Sequence, residues 1–300
     1  MEYGHTTDLE GIDFTLPPDH SSNIVFLSSL ADLSTFGKLT NLRLHIGCAK
    51  WGIKEWVGPL YPKGTKESEY LTEYGKRFNS VELNTTGYRF GSARIMKEWA
   101  DQTPDGFTFS PKFPQSITQF KLLGDVQDLT ERFVESISGF GEKLGRPFLL
   151  LPERFTPARM DKVDAFFEKI PKDFPVSFEL RHPDFYNEEN KSRLAEILRK
   201  HNTPWIISDT AGERDVIHMV LTSDTVFIRF SGCDTPEVDK KRMDDWVDRI
   251  KLWREQGIRE VYWYAHNIPE EKTPIYAAYF LKGVNEKLSL NLKVPEVPEL

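Results

Sequence analysis

From residue 42 onward, two hydrophobic rhythms alternate along the chain. Short runs rich in β-branched and aromatic residues give way to longer stretches where apolar residues return every three or four positions. The short runs predict strands at 42–48, 80–83, 107–112, 147–151, 176–181, 205–209, 225–230 and 260–265. The longer stretches predict helices. Leu129, Phe133, Ile137, Phe140 and Leu144 share one helical face, as do Met243, Trp246, Val247, Ile250 and Trp253. Shorter stripes run through Leu71, Tyr74 and Phe78 and through Val163, Phe166, Phe167 and Ile170, and a last helix is expected over 274–287. Thr156-Pro157 and Thr273-Pro274 each set a capping hydroxyl ahead of a proline, and Asp128 with Glu131 matches a capping box.

Residues 1–41 hold no sustained period. Pro17-Pro18 and Ser21-Ser22 mark an irregular arm, with a short helix near 24–36. Eight strands, each followed by a helix or a long connection, is the (β/α)8 count. The chain is therefore expected to be α/β, with an arm at 1–41, a single TIM-type barrel over 42–290 and a tail at 291–300. A doubly wound open sheet competes on alternation alone. Nucleotide motifs do not favour it: Gly139-Phe140-Gly141 falls inside a predicted helix rather than after a strand, and no Walker-type loop occurs.

Composition narrows the class. Lys and Arg number 39 against 46 Asp and Glu, a net charge of −7, so no global basic field draws in nucleic acid or acidic membranes. No apolar run approaches the roughly 18 residues of a membrane span. The opening Met-Glu-Tyr-Gly-His lacks the basic and apolar segments of a secretory signal. Cys48 and Cys233 are too few for a disulfide framework and form no C-x-x-C pair, so they read as thiols of a reducing compartment, and the protein as cytoplasmic. The expected partner is a small anionic molecule, with neither nucleic acid nor membrane favoured. Oligomeric state is not readable.

In such a barrel, function gathers where the strands end. Strand one runs into Lys50-Trp51, strand two ends Glu82-Leu83-Asn84, and strand three ends at Lys112. Strand five ends Glu179-Leu180-Arg181-His182, strand six at Asp209, strand seven at Arg229 and strand eight at His266-Asn267. Strand four, ending Leu149-Leu150-Leu151-Pro152, is the apolar exception. A period of two puts Glu82 with Asn84 and Glu179 with Arg181, while Leu83 and Leu180 point the other way. Charged groups are seldom buried unpaired, so apolar strands that end in charge suggest a wet cleft. The competing reading is a ring of structural ion pairs. For any one residue that reading is the stronger; for seven of eight strand ends together, a ligand site explains more.

These residues resemble a known family. Ile46-Gly47 with Trp51, Phe78-Asn79-Ser80-Val81-Glu82-Leu83-Asn84-Thr85-Thr86, Trp99, Thr103-Pro104-Asp105-Gly106-Phe107 and Lys112 are similar to its N-terminal half. Glu179-Leu180-Arg181-His182-Pro183, Ser208-Asp209-Thr210-Ala211-Gly212 and Arg229 are similar to its C-terminal half. The family is the domain of unknown function 72, or YecE-like, and the resemblance covers about 42–287. It implies a (β/α)8-type barrel and no settled activity. Departures fall at Gly87, where the family often has a large residue, and at strand four, where a leucine replaces its common Gln. Two more fall at Ser231-Gly232, for a usual His-Gly, and at His266-Asn267, for a usual Asn-Asn. They imply a wider, differently tuned pocket.

Lys50, Lys112, Arg181 and Arg229 bring four positive charges to this mouth against Glu82, Glu179 and Asp209. Two arginines suit bidentate binding of phosphate or carboxylate, with structural pairing of Arg181 to Glu82 or Asp209 as the alternative. Lys112 reads as a point-charge binder or, if desolvated, as a base or Schiff-base amine. The catalytic candidates are thus Glu82, Glu179, Asp209 and Lys112. The substrate-binding candidates are Lys50, Trp51, Asn84, Tyr88, Arg181, His182, Arg229, His266 and Asn267. Glu82 and Glu179 could form the carboxylate pair of glycoside hydrolysis, although neighbouring cations would keep both ionised. Glu82, Glu179, Asp209 and His266 could converge on a divalent metal, but the same cations oppose it; no metal ligand is assigned and no cofactor is named. His45 reads as a satisfied core histidine, His182 as positioning Arg181, and His218 as part of a covering loop near Asp215. The first expectation is a hydrolase- or isomerase-like enzyme acting on a small phosphorylated or carbohydrate-like anion. The second is a metal-dependent phosphodiester or sugar hydrolase or isomerase, and the third a non-catalytic ligand- or partner-binding barrel.

Overall fold

In the computed structural model of the chain, residues 3–34, 42–172 and 174–300 are described. All eight expected strands form within two residues of their expected bounds: β1 (Arg43–Cys48), β2 (Ser80–Leu83), β3 (Thr108–Pro111), β4 (Phe148–Leu150), β5 (Ser177–Glu179), β6 (Ile207–Asp209), β7 (Thr225–Ser231) and β8 (Glu260–His266). Six of them make a parallel sheet in the order β3-β2-β1-β8-β7-β6, while β4 and β5 pair with each other. Isolated parallel bridges, Phe109 with Leu144 and Lys112 with Phe148 at one gap and Phe178 with Trp205 at the other, carry backbone contact across the two gaps. At the level of strand ladders the expected ring is therefore two sheets. The gaps fall where the chain carries proline: Pro111 ends β3, Pro147 precedes β4 and Pro204 precedes β6. Proline has no N–H to give to a ladder, and the strands flanking the gaps stop at three or four residues.

The α-helices are α1 (Asn23–Ser34), α2 (Tyr70–Gly75), α3 (Ala93–Asp101), α4 (Gln127–Ile137), α5 (Asp161–Phe167), α6 (Glu188–Lys200), α7 (Pro236–Glu255) and α8 (Thr273–Leu288). Helices α3 and α6 were not expected. Each buries a narrow stripe, Met96 with Ala100 and Leu194 with Ala195 and Leu198, too short to stand out among charged neighbours. The stripe expected to continue to Leu144 breaks at Ile137, where the chain tightens into a 3-10 turn over Ser138–Lys143 with Gly141 at φ 55°. Gly139 explains the break, because a Cβ there would lie 1.9 Å from the Ala93 carbonyl at the start of α3. The expected capping box does not form: Val126 caps α4, and Glu131 accepts instead from Gln127 Nε2 at 2.7 Å. Thr156 makes no side-chain capping bond, and Thr273 is itself the first residue of α8.

Burial divides the apolar residues into two compartments. The larger lies between strands and helices and takes Leu83, Leu149, Leu151 and Leu180. The smaller holds Phe148, Leu150, Ile206, Phe227, Tyr262 and Tyr264, all from the strands and their entries. Two-residue periodicity then carries the same strand faces from Phe227 to Arg229 and from Tyr264 to His266. Apolar packing at one level thus sets the height and direction of charged groups at the next.

The arm packs onto the rest. Asp19 accepts from Arg249 and from Trp253 Nε1 at 2.9 and 3.1 Å, and Arg214 donates to the Asp13 and Phe14 carbonyls at 3.2 Å. The Asn23 side chain bridges Met219 and Leu221. At the other end, Leu292, Val294, Val297 and Leu300 of the tail lie partly buried against the core.

Candidate functional site

Glu82 from β2, Glu179 from β5 and Arg229 from β7 meet in the interior, all buried. Arg229 grips Glu82 through Nε and Nη2, each 2.9 Å from a different carboxylate oxygen, and reaches Glu179 Oε2 through Nη1 at 2.7 Å. Such forked, charge-assisted bonds are strong and directional. His266 Nε2 lies 3.1 Å from Glu82 Oε2, and Asn84 Nδ2 donates to Glu82 Oε1 at 2.7 Å. Burial pushes the Glu82 carboxyl up, but Arg229 and His266 outweigh it and hold the group well below the usual carboxylate range. Burial, aided by Arg229, lowers the His266 imidazole. An ionised carboxylate only accepts, so Nε2 donates to it.

Glu179 is less enclosed by partners. Burial raises its carboxyl, while Arg229 and Arg181 together bring it below its ordinary value. Its Oε1 is buried without a hydrogen-bond partner, with Arg181 Nε 3.6 Å away. The Arg181 guanidinium stacks on the ring of Tyr3, 4.1 Å from its centroid, so the arm reaches this site. Gly4 accepts from the Gly212 amide at 2.7 Å beside it.

Lys112 follows β3 and is half-buried. Its stem lies along Gly87, where a Cβ would come within 3.0 Å of Lys112 Cδ; the room left by the absent side chain is taken by this lysine. Among the described residues no carboxylate lies within ion-pair distance of its ammonium. Burial and the nearby Arg229 charge bring its pKa down to about 8.

Asp209 goes elsewhere. It shares its strand face with Ile207 rather than Ser208 and turns outward to α7, where Arg242 Nη2 and Trp246 Nε1 each bind it at 2.7 Å. Arg214 Nη1 shares Oδ1 with Arg242. This is a structural ion-pair cluster, not part of the mouth. Arg242 and Trp246 were not anticipated, since more than thirty positions separate them from Asp209; Arg214 lies five positions on. Other expectations need similar correction. Lys50 pairs with Glu270 at 2.5 Å on the rim, both nearly half exposed. Trp51 packs edge-on against Trp99 and Phe109, and Tyr88 is 78% exposed. His182 caps the 3-10 turn Pro183–Tyr186, its Nδ1 accepting from the Asp184 amide at 3.2 Å. His218 is buried against Trp205 rather than on a covering loop, and burial lowers its pKa to about 3. His45, by contrast, is the satisfied histidine expected: it stacks on Tyr262 and bonds to Glu260 and Thr108.

Asn267 is buried with neither amide atom partnered. With Cys48, Trp56 and His266 it lines a cavity of about 20 Å³. The structure thus brings together Glu82, Asn84, Glu179, Arg229 and His266, with Arg181 and Lys112 beside them. Among the described residues no group of three or more His, Cys, Asp or Glu is arranged to hold a metal ion. No described helix is long and apolar enough to cross a membrane.

The model of a family described as protein of unknown function DUF72 matches residues 45–299. UPF0759 protein YecE of Escherichia coli O157:H7 is 25% identical over 275 residues, covering 85% of this chain and 98% of that protein. UPF0759 protein YunF of Bacillus subtilis is 23% identical over 237 residues, covering 74% and 78%. A DUF72 family crystal structure from Thermotoga maritima superposes with a TM-score of 0.63 at 22% identity, covering 83% of this chain and all of that one. One from Enterococcus faecalis gives 0.64 at 17%, covering 86% and 99%.

Proposed function

This chain belongs to the DUF72 family of proteins of unknown function, and we propose that it is an enzyme that binds a small phosphorylated or carboxylated molecule at the C-terminal strand ends. The carrying observation is Lys112, a half-buried cation whose neighbourhood holds no ion-pair partner among the described residues, beside Arg181. Arg229 is matched by Glu82 and Glu179, so a bound anion would answer the charge on Lys112. Glu179, with its open Oε1, is the residue suited to move a proton; Glu82 is saturated and holds Arg229 in place.

The same reading takes the two sheets as one (β/α)8 barrel, supported by the bridges at Lys112–Phe148 and Phe178–Trp205. A cytoplasmic setting accords with two buried free thiols, Cys48 and Cys233. Metal-dependent hydrolysis finds less support, because Asp209 is engaged at α7 and both Glu82 oxygens are occupied. The test is thermal unfolding with inorganic phosphate and sugar phosphates. A ligand at a hundredfold excess over its Kd stabilises the native state by about 2.7 kcal/mol. Absence of any shift in wild-type protein across an anion panel sinks the proposal.

A further inference from the structure

The direction of the Lys112 side chain has chemical consequences. Packed along Gly87, its stem carries the amine toward charges from three strands: Arg229 of β7, Glu179 and Arg181 at the end of β5, and Glu82 of β2. A lysine meant only to bind an anion gains nothing from burial, which disfavours its charged form. Here burial and the adjacent Arg229 leave about half the amine neutral near pH 8. A neutral primary amine is a nucleophile. The carboxylate oxygen Glu179 Oε1, from the same cluster of charges, accepts no hydrogen bond.

We propose that Lys112 forms an imine with a small aldehyde or ketone that carries a phosphate or carboxylate group, an inference resting on the anion-binding reading above. The Nζ lone pair attacks the carbonyl carbon, forming a C–N bond while the C=O π pair moves to oxygen. One proton passes from nitrogen to that oxygen and gives the carbinolamine. Loss of the hydroxyl, with a second proton, releases one water and leaves C=N. Glu179 Oε1, beyond ion-pair distance of the amine, takes protons from nitrogen through one bridging water and returns them to the departing oxygen. Arg181 faces the anionic group. Hydrolysis reverses each step and regenerates the lysine, so no oxidant or reductant is consumed.

Pyridoxal 5′-phosphate with cyanoborohydride, read by peptide-resolved mass spectrometry on the full chain, tests this. Lys112 is expected to label about tenfold faster or more than the exposed Lys97 and Lys241 at neutral pH, because its lowered pKa leaves part of it neutral. Its rate should reach half-maximum near pH 8, and inorganic phosphate should slow it. Lys112→Arg should lose that adduct; if this variant does not fold, the wild-type pH profile decides alone. Pyridoxal, which lacks the phosphate, should label Lys112 more slowly. Equal rates for the two aldehydes would overturn the anionic substrate class. If phosphate raises the melting temperature while Lys112 labels no faster than Lys97, the imine is overturned and the anion reading stands.

Discussion

Arg229 and Glu82 face each other across the strand interior with two parallel hydrogen bonds of 2.9 Å, one to each carboxylate oxygen. Neither reaches solvent. Breaking such a pair from one side leaves a buried charge without compensation and typically costs about 3–5 kcal/mol. Arg229→Leu should lose stability on that scale in urea at pH 7, since both Glu82 and Glu179 lose their main partner. Adding Glu82→Leu to that variant should recover part of the loss. A double variant weaker than the single one would show that the pair itself, rather than the orphaned charge, dominates.

Acid should expose the same carboxylates. Burial raises the Glu260 carboxyl, but hydrogen bonds from His45 and Arg43 draw it down to about 2. Glu82 and Glu179 are lowered as well. A carboxyl whose folded value lies below its unfolded value, about 4.3, stabilises the native state fully above that value and loses the contribution as pH falls. The melting temperature should therefore stay level from neutrality to about pH 5 and fall between about 4 and 2. Glu260→Gln should start lower and fall less steeply, as read from calorimetry across that range.

Asp209 offers a contrast between structural and functional carboxylates. Its oxygens are held by Arg242, Trp246 and Arg214 on the helix side. Asp209→Ala should cost about 3–5 kcal/mol by stranding Arg242, yet leave phosphate affinity of the folded protein unchanged. Glu179→Gln should instead remove a proton carrier and alter the pH profile of any turnover, while phosphate still raises the melting temperature. Loss of phosphate binding in Asp209→Ala would return that residue to the site.

What was legible in the sequence was legible for a local reason. Strand positions follow from apolar runs bounded by proline and glycine, and the two-residue period correctly placed Glu82 with Asn84, which are bonded, and Glu179 with Arg181. The same period applied to Ile207, Ser208 and Asp209 would have turned Asp209 outward. Partners are another matter. Arg229 and Glu82 are separated by 147 positions, and no pattern along one strand names its correspondent on another. The proline gaps flanking β4 and β5 also escaped notice, because a strand's pattern does not reveal how many ladder bonds it makes. Tyr3 had no signal at all. An arm without periodicity carries no register, so its contact with Arg181 emerges only in three dimensions.

That contact leads to a last prediction. Tyr3 covers the guanidinium that the proposed ligand needs, and Gly4 behind it sits at φ 65° with a would-be Cβ 2.1 Å from Thr210 Oγ1. The arm tip therefore competes with the anion for Arg181. A cation–π contact at an exposed or partly exposed site contributes about 0.5–1 kcal/mol, so Tyr3→Ala should tighten phosphate binding by about twofold to fivefold in calorimetric titration. Gly4→Ala should act in the same direction from a different position, because a side chain there cannot fit against Thr210 and the tip must lift. Arg181→Ala combined with Tyr3→Ala should abolish the gain. If both arm variants bind phosphate more weakly than the wild type, Tyr3 belongs to the binding surface and the arm completes the site instead of competing for it.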